Sequence, residues 1–181
     1  MPTLIVVSGP AGSGKTTLAH ELARTIGCPA VCRDEIKEGM AHANGAFDPS
    51  PQDALSRRTL PLFFSVLRLL LEGGVTVVAE AAFQDKVWSP NLEFATGLAH
   101  LRIVQCHTDP ETARRRARDR AGSRTAHADA QVIDDARYFD DFRRVALAVP
   151  SIDVDTTSGY VPSIDQVVAF VNNAAPHHSR M

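Results

Sequence analysis

The run Gly9-Pro10-Ala11-Gly12-Ser13-Gly14-Lys15-Thr16-Thr17 fits the phosphate-binding pattern G-x-x-x-x-G-K-[ST]. Each residue type has a physical reason. Glycines at Gly9, Gly12 and Gly14 open backbone torsions that side chains forbid and let peptide groups approach a ligand closely. The amides of Ala11, Ser13, Lys15 and Thr17 then form an anion nest with the positive end of the helix that follows. Lys15 supplies an ammonium for the β- and γ-phosphates, and the Thr16 hydroxyl can ligate magnesium. The flanks agree. Leu4-Ile5-Val6-Val7 reads as a strand buried on both faces. Lys15 to Ile26 reads as a helix with Leu18, Leu22 and Ile26 on one stripe and Gly27 just beyond its end. Strand, loop and helix predict a P-loop that takes a nucleoside triphosphate, ATP with Mg2+.

Outward from this unit, five short apolar runs recur: Leu4–Ser8, Ala30–Arg33, Val75–Glu80, Leu101–His107 and Ser151–Asp155. The stretches between them are long enough for helices, so the pattern predicts an α/β fold: a five-stranded parallel sheet with helices on both faces. One helix is expected from Pro51 to Glu72, with Pro61 kinking or dividing it and Gly73-Gly74 ending it. Another opens at Asp109-Pro110-Glu111, which offers an N-cap, a proline at the first helical position and an acid in the first turn. Two more are expected over Asp129–Ala146 and Ser163–Asn173. Residues 1–175 read as one domain, and Pro176–Met181 as a frayed tail.

Composition narrows the function. With 44% hydrophobic and 22% charged residues the chain reads as an ordinary globular protein. It lacks an uncharged apolar run long enough to span a membrane, and Met1–Val7 has no basic leader, so neither membrane insertion nor a signal peptide is expected. Cys28, Cys32 and Cys106 form no disulfide framework. Cys28 and Cys32 lack a second Cys/His pair at ligand spacing, so they read as buried thiols in a reducing cytoplasm. A net charge of −2 argues against the broad basic track of a polynucleotide binder. Locally, Arg114, Arg115, Arg116, Arg118, Arg120 and Arg124 crowd together, either to grip phosphates or as a solvated face. No Asn-Lys-x-Asp for reading guanine is present, and the chain is short for a motor or remodelling ATPase.

The second strand ends in Cys32-Arg33-Asp34-Glu35-Ile36-Lys37. Ligands of open parallel sheets bind beyond the carboxyl ends of the strands, so Asp34 is expected to face the γ-phosphate. A carboxylate there can take the proton of an attacking hydroxyl; it can also cap the helix that starts at this point. Lys37, one turn on, shares its face and suits an anionic acceptor. The passage containing Gly39, His42, Asn44, Gly45, Pro49 and Pro51 reads as loop-rich, and a mobile stretch near a cleft commonly selects the ligand. Trp88 reads as core.

These motifs, with Val77-Val78-Ala79-Glu80-Ala81-Ala82-Phe83 and the arginine-rich segment, resemble a group of small P-loop kinases. It includes the kinase half of phage polynucleotide kinase, chloramphenicol phosphotransferase and zeta-toxin-like kinases. The resemblance covers residues 3 to 157 and implies an NMP-kinase-like fold, ATP, Mg2+ and phosphoryl transfer to a hydroxyl. By motif, it implies Asp34 as general base and Lys37 as a contact to acceptor or phosphate. Glu80 stands where many members have the Asp of an Asp-x-Thr motif, and Ala82 where they have the Thr. This leaves Glu80 between magnesium or acceptor binding and a buried acid paired with an arginine. A lid is implied around 109–128 and an acceptor region around 37–72. Within the lid, Arg116 and Arg120, spaced i, i+4 on one helix face, match an ATP contact and a stabiliser of γ-phosphate charge. Thr156 and Ser158 follow the fifth strand, where the base lies in such proteins; turn chemistry explains them equally well. The implied activity is transfer to a small-molecule hydroxyl. A 5′-hydroxyl polynucleotide kinase and a non-kinase ATP-binding module are the alternatives.

Overall fold

A computed structural model describes residues 1–44, 53–120 and 142–173. The parallel sheet comprises β1 (Thr3–Ser8), β2 (Ala30–Cys32), β3 (Val77–Glu80), β4 (His100–His107) and β5 (Ser151–Asp155), in the spatial order β2-β3-β1-β4-β5. β1 lies at the centre, with Val7 opposite Glu80 of β3 on one side and Val104 of β4 on the other. Its unbroken apolar character follows from that place. Leu4 and Val6 pack against Phe63, Leu67, Leu71 and Trp88, whereas Ile5 and Val7 pack against Leu18, Leu22, Val167 and Val171. Between its ends, a strand covered on both faces has no position for a polar residue. Ser8, the last residue of β1, is buried and accepts a hydrogen bond from Trp88 Nε1 at 3.1 Å.

Helices α1 (Lys15–Ile26) and α6 (Ile164–Asn172) cover one face. Helices α3 (Ala54–Glu72) and α4 (Asp85–Asn91) cover the other, where Phe63, Phe64, Phe83 and Trp88 make a largely edge-to-face aromatic cluster. Helix α2 (Arg33–Asn44) follows β2 directly, and α5 (Pro110–Arg120) follows β4. The expected starts of α5 and α6 hold: Asp109 Oδ1 accepts from Thr112 N at 2.8 Å, and Ser163 forms a capping box with Gln166. No helix among the described residues is long and apolar enough to cross a membrane.

Two expectations are corrected in part. Pro61, expected to kink or divide its helix, does not divide α3; it lies on the exposed side, while the buried side holds the helix to the sheet. Of the passage expected to be loop-rich, residues 38–44 are helical instead, because Ala41 and Met40 pack against Leu55 of α3. Of the helix expected over Asp129–Ala146, residues 142–146 are not helical. Ala146 N donates to Asp85 Oδ1 at 2.8 Å and the Val145 carbonyl accepts from Gln105 Nε2 at 2.9 Å, which ties this run to α4 and β4. Residues 129–141 of that expected helix, Arg124, residues 121–128 of the lid, residues 45–52 of the acceptor region and the tail lie outside the described residues.

Candidate active site

The loop from Gly9 to Gly14 joins the buried β1 to α1. Gly12 has a φ of +75°, and a Cβ there would sit 2.4 Å from the carbonyl oxygen of Ala113, so only glycine lets the loop lie against α5. Gly14 precedes α1 with a φ of +72°. No side chain caps α1, and its first turn contains no acid. Its amides and the positive end of its dipole are thus directed at an anion. Lys15 is buried, with Nζ 3.4 Å from the Pro10 carbonyl, to which it donates, and 3.8 Å from Glu80 Oε1. The Glu80 carboxyl is fully buried. Lys15 is thus a cationic partner of the Glu80 carboxylate. Thr16 follows half-buried; its hydroxyl is a hard oxygen donor of the kind magnesium prefers.

Asp34 lies in the first turn of α2, at the carboxyl edge of β2 and two strands from the loop. Its Oδ1 accepts from Arg33 Nη1 at 2.9 Å, and the carboxylate stays partly open to solvent. Lys37 is drawn elsewhere: Nζ donates to Asp53 Oδ2 at 2.7 Å, and both side chains are only 4% exposed. Asp53 also caps α3 through Ser56 N. The pair thus pins α2 to the start of α3.

Two cavities flank the first turn of α1. One, of about 570 Å³, is lined by Gly12, Gly14, Thr17, Arg116, Asp119, Arg120, Thr156, Gly159 and Tyr160. The other, of about 420 Å³, is lined by Thr16, Thr17, His20, Glu21, Arg24, Glu35 and Arg120. Arg120 borders both. Arg116 donates to Thr156 Oγ1, to the Thr156 carbonyl and to the Thr157 carbonyl at 3.2, 2.7 and 3.2 Å. Thr156 in turn donates to the Ser13 carbonyl at 2.8 Å. A cradle closed to a Cβ, an uncapped helix start and a cavity bordered by arginines together fit a nucleoside triphosphate.

A family model described as AAA domain (AAA_33) matches residues 4–140, most of the chain. The chain belongs to that family. No curated protein matches the sequence. Among solved structures, a proposed kinase from Chloroflexus aurantiacus j-10-fl is similar at 22% identity, with a TM-score of 0.79 over 94% of this chain and 96% of that one. A sugar kinase from Janibacter sp. HTCC2649 is similar at 16% identity, with a TM-score of 0.68 over 96% of both chains. The APS kinase CysC of Mycobacterium tuberculosis, solved with AMPPNP and APS, is similar at 15% identity, with a TM-score of 0.67 over 95% of this chain and 98% of that one. At such identities the likeness is one of fold, and the fold is that of the small P-loop kinases, NMP-kinase-like as expected.

In this AAA-domain chain the structure brings Lys15 and Glu80 together, sets Arg116 and Arg120 around the cavity beside Gly12 and Gly14, and carries Lys37 to Asp53. Sequence reasoning passed over Asp119, Gly159 and Tyr160 as walls of that cavity. The signal for Tyr160 was slight: one aromatic after a turn. Burial, with the neighbouring Glu21 carboxylate, pushes its phenol up to about 12. Trp88 is core, as expected, and Ser8 holds its indole nitrogen.

Proposed function

We propose that this chain is an ATP- and magnesium-dependent phosphotransferase that moves the γ-phosphate of ATP to a hydroxyl of a small molecule. The observation that carries the reading is the pairing of an uncapped α1, led by the Gly12–Gly14 loop and Lys15, with a partly open carboxylate, Asp34, on the same edge of the sheet. In this reading the amides of Gly9 to Thr17 bind the β- and γ-phosphates, Lys15 neutralises them, and Glu80 holds the Lys15 ammonium in place. Thr16 is the magnesium ligand; when bound, the metal draws charge from the β- and γ-oxygens.

Asp34, oriented by Arg33, takes the proton of the acceptor hydroxyl as its oxygen bonds to the γ-phosphorus. The bond from that phosphorus to the β–γ bridging oxygen breaks, and ADP leaves. Arg120, at the junction of the two cavities, meets charge building on the transferred group; a guanidinium suits this because its planar fork binds phosphate oxygens in pairs. Arg116 forms a wall of the nucleotide cavity and ties α5 to the turn after β5. Lys37 serves the acceptor side through its ion pair, which fixes the turn that carries Asp34. The net charge of −2 supports a small acceptor over a polynucleotide.

A screen of nucleosides, sugars, aminoglycosides and 5′-hydroxyl oligonucleotides with γ-labelled ATP tests the reading. ADP release and label transfer that depend on one small hydroxyl compound are expected. Transfer only to oligonucleotides would overturn the choice of acceptor, and acceptor-independent hydrolysis alone would overturn the kinase.

A further inference from the structure

Beside the phosphate cradle, three donor atoms of different chemical kinds meet on elements that the sequence keeps apart. His20 on α1, Cys32 at the end of β2 and Glu35 in the first turn of α2 bring a ring nitrogen, a sulfur and a carboxylate oxygen within 4.8 Å of one another. His20 Nε2 lies 2.7 Å from Glu35 Oε1 and 3.7 Å from Cys32 Sγ. We propose that these three side chains form a site for a thiophilic divalent cation of the zinc type, with water completing its shell. The proposal is independent of the phosphotransferase reading.

The distances suit such an ion. Zinc sits ~2.3 Å from thiolate and ~2.0–2.2 Å from imidazole nitrogen and carboxylate oxygen, so tetrahedral ligands lie roughly 3.3–3.6 Å apart. The sulfur-to-nitrogen gap is already close to that. The nitrogen-to-oxygen gap must widen by roughly 0.6 Å to reach the same spacing, and both side chains are half-exposed and can turn. The donor set selects the metal: thiolate with imidazole favours zinc over magnesium, which prefers oxygen alone. An ion pair between His20 and Glu35 by itself would not require a thiol beside the same ring.

Access and surroundings agree. Cys32 is buried, whereas His20 and Glu35 border the cavity of about 420 Å³ that opens beside Thr16 and Thr17. Burial, with the nearby Glu80 and Glu35 carboxylates, drives the pKa of the Cys32 thiol well up. The same two carboxylates attract a cation. On binding, the thiol gives its proton to solvent and the thiolate bonds to the metal. Arg24 and Arg120 also border the cavity and oppose a cation; Glu21, Glu35 and the thiolate offset them, Glu80 being paired with Lys15. Cys28 does not belong to the group. Through Glu80, 3.8 Å from Lys15 Nζ, the site adjoins the phosphate cradle.

The test uses the full chain carrying His177→Ala and His178→Ala, which removes the tail histidines as competitors. With reductant and excess magnesium present, it is titrated with cobalt(II) and then zinc(II). One equivalent of cobalt should raise a near-ultraviolet thiolate-to-cobalt band with tetrahedral visible absorption, and zinc should bleach both. Cys32→Ser should abolish the ultraviolet band, Cys28→Ser should keep it, and His20→Ala should weaken binding at least ~10-fold, a loss that even outer-shell changes reach. His20 is exposed, so that variant keeps the fold, as circular dichroism checks. A parent without the band, a band that survives in Cys32→Ser, or unaltered affinity in His20→Ala would overturn the site.

Discussion

A methyl group on Gly12 would have to fit 2.4 Å from the Ala113 carbonyl oxygen, at a φ of +75° that side chains disfavour. Gly12→Ala must therefore shift the loop or α5, and strain of this kind costs about 1–3 kcal/mol. Affinity for a non-hydrolysable ATP analogue should fall roughly 5- to 150-fold, as calorimetry would show; unaltered affinity would mean that the loop does not bind the phosphates in this conformation. Arg120 presents a different case, because it borders both cavities. Arginines that stabilise a transferring phosphoryl group contribute ~10³–10⁵ in kcat. Arg120→Ala should thus lower kcat steeply and leave acceptor KM nearly constant, and steady-state kinetics showing the reverse would move Arg120 out of the phosphoryl site. At this scale the sequence was most legible where chemistry restricts the residue type. The glycines, Lys15 and Thr16 could be read directly. The partner of Lys37 could not, because Asp53 lies 16 residues away and its pairing depends on how α2 meets α3.

Helix α2 depends on that pairing. The Lys37–Asp53 pair is buried, and removing one member leaves a charge in a poorly solvated place, a loss of about 3–5 kcal/mol. Lys37→Met should lower the midpoint of urea unfolding strongly, and the double change with Asp53→Asn should recover part of it. A Lys37→Met protein as stable as the parent would leave Lys37 to the acceptor alone. Helix α5 offers a pH test at its start. The backbone amide and hydroxyl of Thr112, then the amide of Glu111 and the charge of Arg115, hold the Asp109 carboxyl below its ordinary range against a small opposing effect of desolvation. Its capping contribution is then fully present above the ordinary carboxylate pKa and is lost as pH falls through the depressed value. The Thr112 amide resonance should stay in place through the ordinary carboxylate range and shift only below it; a shift midway through that range would mean that the cap is weak in solution. The sequence announced this helix start through Asp109-Pro110-Glu111. It misjudged residues 38–44 of α2 because Gly39 weighs heavily in local propensity, while packing on α3 decides.

For the molecule as a whole, β-branched runs alternating with helical stretches sufficed to foresee five parallel strands covered on both faces. The spatial order β2-β3-β1-β4-β5 was not foreseen, because it is set by crossovers between distant segments. Parallel strands put the carboxyl ends of β1, β2 and β3 at one edge, and this order sets β3, with Glu80, between β1 and β2. It also joins His20, Cys32 and Glu35, which no local spacing reveals. The account's central claim is that this edge holds a triphosphate opposite a base, and Asp34→Asn tests it most directly, since it keeps the shape and removes the charge. With an acceptor identified by label transfer, ATP affinity by calorimetry should match the parent while single-turnover phosphate transfer slows by about 10²–10⁴. Transfer at the parental rate would contradict the claim.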